Sequence, residues 1–332
     1  MSERPRVDYH VHYNPADEKT AYTAIEIAKK RNVVAMTILA RSQVSDNTED
    51  FIKYGESIGV DIVPGVEFLG RNGQYSVDFI LLGFDPQNKE LKQYFGKDDN
   101  NQNKKRAEFQ RNFLRTKGFS FSELDQSQEL LLCKLLAGEL SEKAINFCNI
   151  VAGIETNSEL LCQLKEENSI EWKNVQEKYG SKLNFSDPVK LTGKFLYNLY
   201  FQVDKEGYQE VRTDSKTIID VVHRAGGVVL YSPEGEYKSE IWENLQNEGI
   251  DGIMAWHAGK LGANGKDVPD ISKKTIINAR KSKLLVLGGS DYQQKDWEIG
   301  IGNGNMFVSP KRHVELMDYI KNKNDGLLPW KK

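Results

Sequence analysis

The chain has 332 residues, 39% hydrophobic and 28% charged, with a net charge of −3. That length suits two average domains or one large α/β barrel, and the balance suits a globular chain with a substantial core. The slight acidity gives no reason to expect a nucleic-acid binder, and no apolar signal core or membrane-length apolar run occurs, so a cytoplasmic protein with no nucleic-acid or membrane partner is expected.

Residues 6–12 read as the first strand and contain Val7-Asp8-Tyr9-His10-Val11-His12. Histidines two apart project from one strand face. Two imidazoles with a carboxylate nearby suit a divalent ion such as Zn, Mn or Fe, although the same pattern also fits a buried structural strand. Residues 21–28 have helical spacing and end in Lys29-Lys30-Arg31. Residues 33–40 form a continuous apolar run, the signature of a strand buried on both faces. A second helix is expected after Asn47 or Thr48, then a third strand over residues 60–68. Arg71-Asn72-Gly73 supplies a hairpin turn into a fourth strand over residues 75–84.

The alternation breaks at Asp85, and residues 91–210 read as a polar, mostly helical insert. A leucine stripe at Leu130, Leu131, Leu132, Leu135 and Leu136 predicts helix packing within it. All three cysteines (Cys133, Cys148, Cys162) fall there, and their odd number and helical setting predict reduced, buried thiols. The β/α rhythm resumes at Thr213, with Asp214 or Ser215 capping a helix closed by Ala225-Gly226-Gly227. Strands over residues 228–232, 251–257 and 284–291 follow, with helices over 238–247, 271–281 and 313–321. The expected organisation is a seven-stranded α/β barrel from residues 1–90 and 211–325, interrupted by a helical subdomain over 91–210.

In a closed parallel barrel the site lies at the C-terminal strand ends. Those ends hold His10, His12, Leu39, Glu67, Ser232, His257 and Asp291. Four of them, His10, His12, Glu67 and Asp291, are candidate ligands for one divalent ion.

Several stretches together resemble the motifs of the PHP (polymerase and histidinol phosphatase) family. They are Asp8-Tyr9-His10-Val11-His12, Pro64-Gly65-Val66-Glu67, Ala225-Gly226-Gly227-Val228, Gly252-Ile253-Met254-Ala255-Trp256-His257 and Gly288-Gly289-Ser290-Asp291. The resemblance implies a distorted seven-stranded β/α barrel and metal-dependent hydrolysis of phosphoesters on up to three Zn, Mn or Fe ions. It further implies a small phosphorylated or related small-molecule substrate. Four histidine positions of the family are altered: Leu39 after the second strand, Ile80 or Asp78 in the fourth, Ser232 after the fifth and Gln293 near the end. The ligands that the resemblance assigns to one ion (His10, His12, Glu67 and Asp291) all remain. One surviving metal site is therefore expected. Arg41 or Lys260 is the candidate to balance substrate charge, His257 the candidate general acid or substrate contact, and Asp8 the candidate to fix ring orientation. Glu234-Gly235-Glu236 places acidic residues where the family often has a phosphate-gripping arginine. The competing expectation is a catalytically inactive PHP-like protein serving as a binding or regulatory module. Retention of all four ligands argues against it, because burying them together without a metal is costly.

Overall fold

The computed structural model of the protein describes residues 4–13, 17–41, 43–95, 112–120, 158–179, 195–196, 198–200, 213–233, 238–257, 273–292, 299 and 308–331. The chain divides into two compact units, Met1–Lys97 with Arg212–Lys332, and Asp98–Val211.

The first unit is built on one seven-stranded sheet whose strands follow chain order. They are β1 (Arg6–Asp8), β2 (Val33–Arg41), β3 (Asp61–Asn72), β4 (Tyr75–Leu82), β5 (Val228–Ser232), β6 (Gly252–His257) and β7 (Leu285–Gly289). The sheet curls until its edges meet: the Tyr9 amide donates to the Gly288 carbonyl at 3.2 Å, and Val11 bridges Tyr292 in parallel. The fold is thus a distorted, nearly closed seven-stranded barrel with flanking helices, as the sequence predicts.

Side-chain alternation sorts the strands into two cores. Ile80, Leu82, Val228, Leu230, Met254, Leu285 and Leu287 belong to the inner cluster. Val66, Phe68, Phe79, Leu81, Val229, Tyr231, Ile253 and Val286 pack outward in the second cluster. Strands β1 to β3 are parallel, as are β5 to β7, whereas β4 runs antiparallel to both its neighbours. The barrel is therefore mixed, not all-parallel. The cause is the short turn at Gly73 (φ 58°), which reverses the chain directly and leaves no room for a crossover helix.

Helices α1 (Lys19–Lys30) and α2 (Thr48–Ile58) cover the first strands. Numbering the helices of the second unit α3 (Ser158–Glu167) and α4 (Ser169–Tyr179), the barrel continues with α5 (Ser215–Arg224), α6 (Ser239–Glu248), α7 (Lys273–Lys281) and α8 (Pro310–Lys323). Asp214 caps α5 by accepting from the Thr217 amide at 2.9 Å, as its residue type predicts. Ser309 caps α8, whose first position is the proline favoured there. One buried hub ties the base of the barrel together. Asp251 accepts from the Val229 amide, Tyr319 and Lys323 at 2.8, 3.0 and 2.7 Å, and its Oδ2 lies 2.7 Å from His223 Nε2.

In the second unit α3 and α4 bury Leu161 and Val175. The ring of Phe195 meets Trp172 edge-on at 5.4 Å, and Lys165 Nζ lies 4.3 Å from the indole centroid. Cys162 is free, as expected, but exposed; it falls on the polar face of α3, which corrects the prediction of a buried thiol. Cys133, Cys148 and the leucine stripe lie outside the described residues. Among the described residues no helix is long and apolar enough to cross a membrane.

Candidate metal centre

Regular pairing in β1 stops at Asp8, four residues short of the predicted strand end. The reason is local: Asp8 Oδ1 accepts the His10 amide at 3.2 Å, so a side chain replaces a ladder partner there. Pairing resumes on both sides of the next residues, with the Leu39 amide donating to Val11 O at 2.8 Å and the His12 amide to Tyr292 O at 2.9 Å. The His-x-His pair is thus wedged between β2 and the segment after β7. Its rings meet edge to face at 4.9 Å, with the Nε2 atoms 3.0 Å apart.

Two carboxylates converge on these nitrogens. Glu67, midway along β3, places Oε1 3.4 Å from His10 Nε2 and Oε2 3.6 Å from His12 Nε2. Asp291 places Oδ1 3.5 and 3.3 Å from the same two atoms. It stands just beyond β7 with φ 53°, a left-handed conformation that costs a non-glycine residue about 1–2 kcal/mol and that aspartate tolerates better than most. The turn aims its carboxylate back over the histidines.

These spacings suit a cation. Ligands about 2.0–2.1 Å from a tetrahedral ion lie roughly 3.4 Å from one another, and the five separations here run from 3.0 to 3.6 Å. His10, His12 and Asp291 form the tightest three-atom group, all within 4.8 Å of one another. Glu67 is not in that group, although it lies close to both imidazoles with a different oxygen toward each. Arg41, the last residue of β2 and in register with Glu67, brings Nε to 3.1 Å from Glu67 Oε2.

Burial lowers the pKa of His12 and outweighs the opposing hydrogen bond from Asp291, which keeps this imidazole neutral and its lone pair available. Burial alone would raise the Glu67 carboxyl. The His10 hydrogen bond, the charge that His12 and His10 carry once protonated, and the charge of Arg41 reverse that effect and hold it well below the usual carboxylate range.

Asp8 holds the backbone beside the candidate ligands. Fully buried, it accepts the amides of His10 and Ser290, the latter at 2.8 Å, and so ties the two ligand-bearing segments across the barrel seam. Gly289 makes this approach possible: a Cβ there would lie 2.3 Å from His10 N and 2.7 Å from Asp8 Oδ1. Sequence reasoning noted Gly289 only as part of a motif at the end of the last strand; that the seam needs a residue without a Cβ there depends on the closure of the barrel.

Leu39 and Ile80, standing where the family pattern has histidines, are fully buried beside the cluster, Leu39 bridged to His12 and Ile80 paired with Glu67. Ser232 ends β5 in register with Asp78, its hydroxyl buried and without a hydrogen-bond partner among the described residues. His257 closes β6, paired with Gly289; its side chain, like Lys260, Gln293 and residues 234–236, lies outside the described residues.

No family model and no curated protein matches the chain. Solved structures do. A protein from Bifidobacterium adolescentis named for metal-dependent phosphoesterase activity is similar, with a TM-score of 0.58 and 17% identity over 96% of this chain and 97% of that one. An amidohydrolase from Chromobacterium violaceum, holding sulfate and no metal, is similar with a TM-score of 0.58 and 15% identity, over 98% and 99% of the two chains. At such identities the likeness carries the fold.

Proposed function

We propose that the protein is a metal-dependent hydrolase, a phosphoesterase of PHP type, with one divalent ion (Zn, Mn or Fe) held by His10, His12, Glu67 and Asp291. The observation that carries this reading is the convergence of two imidazole Nε2 atoms and two carboxylates at 3.0–3.6 Å in a largely buried mouth. Burying two carboxylates and two imidazoles together without a cation is costly. A protein with this fold that is named as a phosphoesterase, and another that holds the tetrahedral anion sulfate, support it.

When bound, a divalent ion supplies an acidified water and polarises the bond to be cut. The residues of the chain do the rest. The neutral imidazole of His12 offers its lone pair, the carboxylates of Glu67 and Asp291 offset positive charge, and Arg41 faces the negative charge of the substrate. His257, the last residue of β6, is the proton donor to the leaving group in this reading. Asp8 acts through the backbone, as a positioning residue. The substrate is a small phosphorylated or related molecule. A second reading, an inactive binding protein of the same fold, is favoured by the hydrocarbon at Leu39 and Ile80.

Elemental analysis of the purified protein tests the centre. About one ion per chain, lost in His10→Ala and in Asp291→Ala while the circular dichroism spectrum stays native, is the expected result; equal metal in the variants would refute the assignment. Turnover in a screen of phosphoesters and amides separates the enzyme from the inactive protein.

A further inference from the structure

We infer that Arg41 is an oxyanion-binding residue, whose guanidinium is fixed by Glu67 through one nitrogen so that its terminal nitrogens face a phosphate-like group at the barrel mouth. The inference deepens the hydrolase reading and rests on it for the reaction, while the binding it invokes is measurable without turnover.

The geometry is specific. Arg41 is half exposed, at 51% of its side chain, whereas Glu67 is only 8% exposed. A guanidinium serving only to neutralise a carboxylate gains most from a two-bond fork. Here the ion pair is made through Nε, at 3.1 Å from Oε2, and no other hydrogen bond or ion pair engages Arg41 among the described residues. The pair of terminal N–H groups is the part of the fork that matches two oxygens of a phosphate or carboxylate.

Position and charge agree. Thr37, Leu39 and Arg41 alternate onto the inner face of β2: a Cβ on Gly65, which pairs with Leu39, would meet the side chains of Thr37 and Leu39. Arg41 therefore leaves that face at the mouth, above Leu39 and beside Glu67. One Glu67 oxygen faces His10 and the other faces Arg41, so the carboxylate links the ligand cluster to the guanidinium. With a divalent ion bound, Glu67, Asp291 and Arg41 leave a single excess positive charge, which favours an anion. Fully buried Leu39 and Ile80 keep the neighbouring wall apolar and strengthen such contacts. The substrate class is a compact oxyanion that presents two oxygens to Arg41.

The test is isothermal titration of inorganic phosphate into metal-supplemented wild type, Arg41→Met and Arg41→Lys, with metal content measured for each. Charge-assisted hydrogen bonds of this kind predict a loss of affinity of roughly tenfold or more in Arg41→Met. A smaller loss is expected in Arg41→Lys, which keeps the charge without the fork, and unchanged metal content in both. Phosphate binding within twofold of wild type in Arg41→Met would overturn the inference, as would a wild type that binds no phosphate. Loss of metal together with phosphate in Arg41→Met would also overturn it, since Arg41 would then only support Glu67. A chain that takes up no cation yet binds phosphate in an Arg41-dependent way would uphold it and refute the metal centre.

Discussion

Asp8 and Gly289 show how little of a site lies in its ligands. Asp8 accepts two backbone amides, and one of them belongs to a ligand while the other precedes the second. Asp8→Ala leaves both amides buried without this acceptor, and a loss of about 2–4 kcal/mol is expected in urea unfolding. Asp8→Asn, which keeps one acceptor oxygen, should lose clearly less; equal losses would contradict the two-amide account. Gly289→Ala forces a methyl against the His10 backbone, and we expect it to cost at least about 3 kcal/mol and to reduce metal uptake, read by unfolding and elemental analysis together. The four residues proposed as ligands were visible in the sequence because polar residues at the ends of apolar runs stand out. The part played by Asp8 was not, since capturing an amide after β7 depends on which strand ends the closure brings together.

At the scale of elements, the end of the barrel away from the site is held by Asp251, which joins β6 to α5 and α8. Burial opposes ionisation of this carboxyl, but His223 and Lys323 prevail and lower its pKa. A carboxyl with a depressed folded pKa contributes stability above its unfolded pKa, near 4, and that stability is lost as pH falls through the folded value. Unfolding free energy should therefore decline below about pH 4, and Asp251→Asn should flatten that decline in a denaturation series across pH. A slope unchanged by the substitution would exclude Asp251 as its source. The elements were largely visible beforehand. The strand over residues 228–232 was located to the residue, and β2 differs from its expected span by one residue, because continuous apolar runs bounded by turn residues leave little choice. The end of β1 was misplaced because alternation continues in the sequence after the hydrogen-bond ladder has stopped. The reversed direction of β4 was legible in Asn72-Gly73, whose turn predicts a hairpin; only the placing of the site assumed a wholly parallel barrel.

At the scale of the molecule, we propose that residues 98–211 are an insertion that the barrel folds without. The described chain leaves the barrel at Phe95, whose ring meets Phe68 at 4.7 Å, and returns at Thr213, whose carbonyl accepts the Arg71 amide at 2.9 Å. Both anchors lie on the later part of β3, three residues or about 10 Å apart along the strand. Replacing 98–211 with a short glycine-serine linker should give a cooperatively melting barrel that retains metal, by circular dichroism and elemental analysis; a molten or insoluble product would contradict it. The same placement sets an order of events during synthesis. Strands β1 to β4 leave the ribosome as a half-barrel, and the partner of β4 begins only at Val228. At translation rates of about 5–20 residues per second, the intervening chain keeps that edge of β4 waiting on the order of ten seconds. During that wait Ile80 and Leu82 have no β5 to pair with, so the nascent half-barrel is where a chaperone has its surface to hold.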